Sequence, residues 1–365
     1  MAAENIELIA AYFTLAGDVY PFGPTQISPY PFRDRVEAAA RAGWKGMGLI
    51  PDDVDATAAK IGHAEMKRIL AANGIKYVEL EFLVDWHLDG ERRKKSDELR
   101  TRLLAIAEIF GARNIKVGPS LGQDVHHPRP EELVPDIPRM QEAFAVLCRD
   151  AAKHGTAIVL EVMPFGNVRT IEAGRAIVEG ANQSNGGLLL DIWHMGRGGI
   201  DYNEVATIPH RFISSIELDD ADEKVVGSLW EDTIHHRRLP GEGVLHPRTF
   251  IRSVQTAGYR GPWGVEILSE LSQASPHRDG PKIVRGDDGA VPAVRANKIE
   301  FKYERGVQPT PKLGDWVEVL TEILELEAKL PKRERRFDAA AVRGAAWARL
   351  RRRARSASVR QSMAR

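Results

Sequence analysis

The fold is decided by the stretch TAIVLEVMPF at residues 156–165 and the stretch GGLLLDIWH at residues 186–194. Each starts as a short apolar run and becomes polar where a strand would end. FISSIELDD at 212–220 and GPWGVEILS at 261–269 repeat this design. Helical patterns that stop at a glycine lie between such runs, and this alternation is typical of βαβ units in a parallel sheet.

Further strand-like runs precede these four, at 6–15, 45–50, 75–84 and 113–119. Apolar residues at helical spacing occupy 32–43, 64–74, 97–111, 140–155 and 246–258. Eight strands in one α/β rhythm favour a (β/α)8 TIM barrel over a doubly wound sheet, and no G-x-G-x-x-G follows the first strand. The sequence therefore predicts an α/β chain folded as a TIM barrel.

The barrel rhythm changes after Glu270. Residues 271–314 are rich in Pro, Gly and charge, and they predict a long insertion after strand 8 that is either a lid or subunit contact at the active-site rim or a disordered insertion. A helical pattern resumes at 315–330. We expect a catalytic barrel domain at 1–330 and a basic C-terminal tail at 331–365, which is either a solvated terminus or a contact with a subunit or anionic partner.

Charge and composition exclude several classes of protein. The 51 basic and 51 acidic residues of the 365-residue chain are unevenly spread, so that the tail carries +10 and residues 1–330 carry −10. An acidic body predicts no nucleic-acid partner. A single cysteine, Cys148, excludes a disulfide framework, and no apolar run is long enough to span a membrane. Without a basic start to the chain, these features predict a cytoplasmic location.

Four acids stand within the apolar strands 5 to 8, and in a barrel the carboxyl ends of all strands meet in one mouth. They are Glu161, Asp191, Glu217 and Glu266. A buried carboxylate needs a cation, and one divalent ion satisfies all four. Hard oxygen ligands favour Mn2+ first and Mg2+ second. The alternative is a set of ion pairs with basic side chains, namely Lys116, Arg169, Arg237 or Arg238.

Other side chains are candidates for binding a substrate. His194 follows Asp191 by three residues and is placed to reach a substrate oxygen. HHRRLPGEG at 235–243 offers Arg237 or Arg238 to an anionic or hydroxyl-rich ligand, unless one of them pairs with Glu231 or Asp232.

Strand 3 contributes further candidates. Trp86 and His87 are predicted to wall the pocket. Glu79 and Glu81 remain unassigned to the lumen or the helices. The aromatic residues Tyr12, Phe13 and Trp193 are expected to pack in the core.

These motifs carry a resemblance to a known family. EVMPF at 161–165, LDIWH at 190–194, IELDD at 216–220, RRLPGEG at 237–243 and WGVEI at 263–267 resemble the sugar phosphate isomerase/epimerase family of xylose isomerase-like TIM barrels. The resemblance runs from about residue 6 to 270. It implies one divalent metal, most often Mn2+ and otherwise Mg2+, Co2+ or Zn2+, held by Glu161, Asp191, Glu217 and Glu266. Glu217 departs from the family, whose members have His or Gln there.

The resemblance implies a metal-dependent sugar isomerase or epimerase that acts on a small keto-sugar or polyol. Glu161 and Glu266 would be its acid/base pair, removing and returning a proton α to a carbonyl through a metal-stabilised enediolate, and His194 would bind a substrate oxygen. A homo-oligomer is also expected from the family.

Two other readings stay open. The same scaffold supports lyases: a dehydroshikimate- or inosose-type dehydratase, or the catalytic subunit of a C-glycoside deglycosidase, which would add a second small subunit. A non-catalytic binding module is the remote alternative. The related DNA-repair endonuclease is disfavoured, because it needs a histidine-rich trinuclear zinc site and a basic face.

Overall fold

The computed structural model describes residues 7–269, and in this part of the chain eight strands close into an all-parallel barrel. Neighbouring strands in the sequence are neighbours in the barrel. β8 closes onto β1 with Leu8 opposite Trp263 and Ala10 opposite Val265. The strands are β1 Leu8–Ala10, β2 Gly46–Leu49, β3 Tyr77–Leu83, β4 Asn114–Val117, β5 Ala157–Glu161, β6 Gly186–Asp191, β7 Ile213–Leu218 and β8 Trp263–Val265. The predicted TIM barrel is confirmed.

Helices connect the strands and cover the outside of the barrel. They are α1 Tyr12–Leu15, α2 Phe32–Arg41, α3 Pro51–Ala72, α4 Gly90–Phe110, α5 Ile137–Lys153, α6 Ile171–Ala181, α7 Ile192–Arg197, α8 Tyr202–Val205, α9 Leu229–His235 and α10 Pro247–Thr256. Between β7 and α10, a short antiparallel ribbon pairs Asp220–Ala221 with Arg237–Arg238. None of the helices described within residues 7–269 has the length and apolar character needed to cross a membrane.

α5 shows how sequence pattern becomes packing. Its buried residues include Phe144, Leu147 and Cys148, which recur at helical spacing and face the barrel. The helix packs closely against β6 at Gly186, where an added Cβ would lie 2.7 Å from both Phe144 and the sulfur of Cys148. Burial raises the pKa of the Cys148 thiol to about 12, so this cysteine is a core residue rather than a nucleophile.

Several predicted boundaries differ from the observed ones. The first strand ends at Ala10, because the backbone N–H of Tyr12 donates to the Glu81 side chain rather than to a neighbouring strand, and Tyr12–Leu15 forms a helical turn instead. The helix expected at 64–74 begins earlier, at Pro51, and is interrupted at Gly62. The insertion at 271–314, the helical pattern at 315–330 and the tail at 331–365 lie outside the described residues, and the domain division there stays a prediction.

Candidate active site at the carboxyl ends of the strands

Four acids converge at the carboxyl ends of β5 to β8. Glu161 ends β5, Asp191 ends β6, Glu217 lies on β7 and Glu266 follows β8 directly. Each offers one carboxylate oxygen, and these four oxygens all lie within 4.8 Å of one another. All four side chains are buried. We call these four residues the acid cluster.

A glycine makes room for the third acid. Gly264 pairs with Glu217 across the β7–β8 ladder. A Cβ at position 264 would lie 2.6 Å from the carbonyl oxygen of Ile216 and 2.9 Å from Cγ of Glu217. Only glycine therefore lets the Glu217 side chain run along β8 into the mouth.

Asp191 has a structural role besides its place in the acid cluster. Its Oδ1 accepts hydrogen bonds from the backbone N–H groups of Trp193 at 2.7 Å and His194 at 3.2 Å, and so caps α7. The cap fixes the position of His194, whose Nε2 lies 3.1 Å from Oε1 of Glu161. Nδ1 of His194 has no hydrogen-bond partner among residues 7–269. The D-x-x-H motif thus joins the acids of two strands.

Lys116 on β4 is one of two buried cations beside the acid cluster. Its Nζ donates to Glu217 at 2.5 Å and to Glu81 at 2.9 Å, and lies 3.7 Å from Glu79. The lysine side chain is only 2% exposed. Because Glu79 and Glu81 both contact it, both unassigned acids of β3 face the lumen.

Arg237 is the second buried cation. Its Nη1 donates to Asp191 at 2.6 Å and to Asp219, and lies 3.1 Å from Glu266. Its other nitrogens donate to the carbonyl and hydroxyl oxygens of Thr233, which fix the guanidinium plane. The alternative of ion pairs is thus realised at three of the four acids, through Lys116 and Arg237.

The pKa shifts in the acid cluster show how burial and the nearby cations act on each acid. Burial, opposed by the charge of Lys116, raises the pKa of Glu217 well above its usual value. Burial likewise raises the pKa of Glu266 to about 8, although Arg237 acts against it. Burial acts in the same direction on Asp191, but the charges of Arg237 and His194 outweigh it and lower the pKa of Asp191. The fold therefore disfavours ionisation of Glu217 and Glu266 unless a further cation is bound beside them.

The residues present fit a divalent ion. Metal–oxygen distances of about 2.0–2.6 Å place ligands on opposite sides of one ion up to roughly 5 Å apart, which the 4.8 Å spread of the four oxygens matches. Along the lumen and at its mouth, seven acids are buried, whereas Lys116 and Arg237 near the mouth and Arg113 just before β4 supply three positive charges. The seven are Glu79, Glu81, Glu161, Asp191, Glu217, Asp219 and Glu266. A hard oxygen donor set of this charge favours Mg2+ or Mn2+.

A cavity of about 390 Å3 opens above the acid cluster. Glu161, His194, Arg237 and Glu266 reach its floor, together with Glu81 and Lys116. Its walls are mostly apolar, and the rings of Phe22, Phe165 and Trp230 belong to them. This volume and lining are typical of a small-molecule site.

Two predicted substrate contacts, Trp86 and His87, lie outside the cavity. Trp86 is buried behind the wall, where its Nε1 donates to the carbonyl of Gly118 at 2.8 Å. His87 packs on Trp86 and contacts Asn167, and burial lowers its pKa to about 4. Neither lines the cavity, because the chain turns outward after β3.

The two arginines of the RRLPGEG motif are separated by the ribbon. Arg237 points into the cavity, whereas Arg238 points away from it and binds Asp222 at 2.6 Å. Asp232, considered as a partner of either arginine, binds Arg197 at 2.8 Å. Arg169, a further predicted partner of the acids, is exposed.

Sequence reasoning missed two features of the floor. Lys116 entered only as an ion-pair partner, although it is the one cation inside the apolar run NIKV of β4, which is a signal that buried acids must face it. Glu81 was left unassigned, although it shares a strand face with Glu79 two residues away. Phe13, expected in the core, contributes to the cavity wall.

The comparison with protein families agrees with this architecture. The family model described as xylose isomerase-like TIM barrel matches residues 36–285. The chain belongs to the xylose isomerase-like TIM barrel family. Among solved structures, the fold resembles the IolI protein with a bound zinc atom, with a TM-score of 0.61 and 18% identity over 72% of this chain and 90% of that one.

Curated relatives of this family member are enzymes. The chain is 26% identical over 250 residues to a 3-dehydroshikimate dehydratase of Pseudomonas aeruginosa, covering 67% of this chain but only 37% of the relative. It is 26% identical over 207 residues to an inosose isomerase of Halalkalibacterium halodurans, covering 56% of this chain and 71% of the relative. The family thus contains both isomerase and lyase chemistry on sugar-like compounds.

Proposed function

We propose that this chain is a divalent-metal-dependent isomerase or epimerase that moves a proton α to the carbonyl of a small keto-sugar or polyol. The observation that carries the proposal is the convergence of four carboxylate oxygens within 4.8 Å beneath a cavity that also exposes His194. Glu161, Asp191, Glu217 and Glu266 would hold the metal, with Mn2+ as first choice. When bound, a divalent ion supplies Lewis-acid polarisation of a carbonyl and offsets developing negative charge.

Glu161 and Glu266 take the proton-transfer roles. They enter the mouth from β5 and from the end of β8, three strands apart in the barrel, and so approach a bound substrate from different sides. Glu161 has no lysine or arginine partner within the described chain, which leaves its carboxylate available as a base. A base on one face and an acid on the other is the arrangement that inverts a stereocentre.

The surrounding side chains orient the substrate and the acids. His194 lines the cavity, and its Nε2, 3.1 Å from Oε1 of Glu161, is the ring nitrogen that would hydrogen-bond a substrate hydroxyl or carbonyl. Arg237 holds Asp191 and Glu266 in place with its fixed fork of donors, and Lys116 does the same for Glu217. The apolar walls keep bulk water from the reacting carbon.

Metal content of the purified protein, measured by mass spectrometry, tests the proposal. We expect close to one Mn, Mg, Co or Zn per chain, lost in Glu161→Gln and in Asp191→Asn. Asp53→Asn is the matched control, because Asp53 is equally buried but pairs with Arg35 outside the acid cluster. No bound metal after addition of Mn2+ would overturn the metal-dependent mechanism.

Proton exchange then tests the chemistry. Keto-sugars incubated with the loaded enzyme in D2O should gain deuterium at the α carbon, and Glu161→Gln and Glu266→Gln should abolish the exchange. Exchange that these two substitutions leave unchanged would refute the roles given to Glu161 and Glu266, and no exchange by the loaded wild-type protein with any keto-sugar would favour a binding module instead.

A lyase is the second candidate, favoured by the match to the P. aeruginosa dehydratase over 67% of this chain. The same α-proton removal leads to elimination when a neighbouring hydroxyl leaves. Loss of water or of an aglycone, seen by mass spectrometry of the products, distinguishes elimination from epimerisation. The homo-oligomer, the cytoplasmic location and the small second subunit of the deglycosidase reading belong to this proposal as further expectations.

A further inference from the structure

Three aromatic rings form a continuous path from the acid cluster to the rim of the cavity. The Phe165 ring lies 5.4 Å from the His194 ring, measured between centroids. Trp230 lies 5.7 Å from Phe165, and Phe22 lies 5.7 Å from Trp230. All three rings line the cavity. We call Phe165, Trp230 and Phe22 the aromatic ladder.

Phe22, the outermost residue of the aromatic ladder, is unusual in its exposure and its backbone conformation. Phe22 is 62% exposed, although phenylalanine is among the residues most often buried. Its backbone has φ of +57°, in the left-handed region that residues other than glycine rarely adopt. The loop between α1 and α2 therefore holds an aromatic ring over the mouth at a conformational cost, with one face left uncovered.

The rest of the cavity is lined by apolar side chains and by the polar side chains of Gln26, Lys95 and Glu98. Its walls include Leu121, Met163 and Leu268, which are apolar. At the rim, Arg102 is already bound to Asp52 at 2.8 Å. The apolar part of the wall, which includes the three rings, gains more from burying an aromatic group than from a second sugar ring, whose hydroxyls would lose hydrogen bonds to water there.

We propose that the substrate carries a planar aromatic group beside its hydroxylated, carbonyl-bearing part, and that the aromatic ladder binds this group. The inference rests on the proposed function for the polar end only. The hydroxylated part would lie at the acid cluster and His194, and the aromatic part would stack along Trp230 and Phe22. Ring pairs in offset or edge-to-face contact add to the gain from burying apolar area. A cavity of about 390 Å3 is within the range of sites that enclose a ligand of two rings.

Binding of two inert probes tests the inference without turnover. Phenyl β-D-glucopyranoside and methyl β-D-glucopyranoside share their hydroxyls and lack a carbonyl, and they differ in the aromatic group. Calorimetric titration of the metal-loaded protein should show the phenyl glycoside binding at least about tenfold more tightly, which corresponds to about 1.4 kcal/mol.

Substitutions of Phe22 test whether the aromatic ladder causes the preference for the phenyl glycoside. Phe22→Ser should reduce the preference below about threefold, and Phe22→Leu, which keeps an apolar side chain, should retain part of it. Tyr30→Ser is the matched control, because Tyr30 is an exposed aromatic of the same loop that does not line the cavity. Unchanged melting temperatures would show that the variants fold.

Equal affinity for the two probes, no detectable binding of the phenyl glycoside, or a preference that survives Phe22→Ser would overturn the inference. Failure of the proposed function has a separate signature. It would leave the probe preference intact, measured on the metal-free protein where no metal binds, while metal binding or proton exchange is absent.

Discussion

Replacement of Lys116 by Met should destabilise the fold more than loss of any surface ion pair. The ammonium lies 2.5 Å from Glu217 and 2.9 Å from Glu81, and all three side chains are at most 3% exposed. Removing one partner of a buried ion pair leaves the other charges uncompensated, at a cost of roughly 3–5 kcal/mol. For a domain of this size that corresponds to a fall in Tm of roughly 6–20 °C.

The assay is urea unfolding with a chelator present, so that no metal substitutes for the lost charge. Glu217→Gln in the Lys116→Met background removes one uncompensated acid, and the double variant should recover at least about 1.5 kcal/mol in a double-mutant cycle. Arg102→Gln is the control, since Arg102 binds Asp55 at 2.6 Å with a side chain 43% exposed, and should cost at most about 1 kcal/mol. A loss below about 1 kcal/mol for Lys116→Met, or no recovery in the double variant, would refute the reasoning.

Three further predictions concern single residues. Gly264→Ala should destabilise the barrel and lower its metal affinity, because the added Cβ meets the backbone and a side chain of β7. A melting temperature and a calorimetric metal affinity equal to those of the wild type would contradict this. The pKa of His87 is about 4 in the folded protein and about 6.5 in the unfolded chain, so the free energy of unfolding should rise with pH between these two values. Near pH 5 about 2 kcal/mol of that free energy should be lost, and His87→Gln should flatten the pH dependence. Arg237→Gln should lower kcat at least about 100-fold in proton exchange, whereas Arg238→Gln should stay within a few-fold, and equal effects would argue against the cavity position of Arg237.

The spacing of the apolar residues, together with the glycines that end several helices, was sufficient to predict the barrel. The β-strands of the motif region begin as apolar runs such as the one at 156–160. The helices before β5 and β8 end two residues before a glycine, at Gly155 and Gly258, whereas the helix before β6 is capped by Asn182. The predicted strands at 156–165 and 261–269 also overran the observed ones. At two of the overruns, Tyr12 and Ile192, a carboxylate binds the backbone N–H groups after the strand. A side chain from another strand, or a cap formed at the strand end, leaves no trace in hydrophobic periodicity.

The same distinction separates the site residues that the sequence predicts from those that it does not. Acids inside apolar strands are visible in the sequence because burying an isolated charge is unfavourable, and this signal identified Glu161 and Asp191. The direction of a side chain that follows a strand is not visible, because it depends on the turn. Trp86 and Arg238 leave the mouth for that reason, one behind the wall and the other beyond the ribbon.

The position of Lys116 also accounts for the departure at Glu217. Where the resemblance implies a neutral His or Gln, this chain has a third glutamate, which by itself adds a negative charge to an already acidic mouth. Lys116 on β4 reaches across the lumen to that carboxylate and shares its positive charge between Glu217 and Glu81. Glu217 thereby keeps one oxygen near those of Glu161 and Asp191 while its other contacts are held by a fixed cation. Because Lys116 keeps Glu81 as a partner, Glu217→Gln alone should cost less stability in urea unfolding than Lys116→Met, and a larger loss for Glu217→Gln would contradict this account.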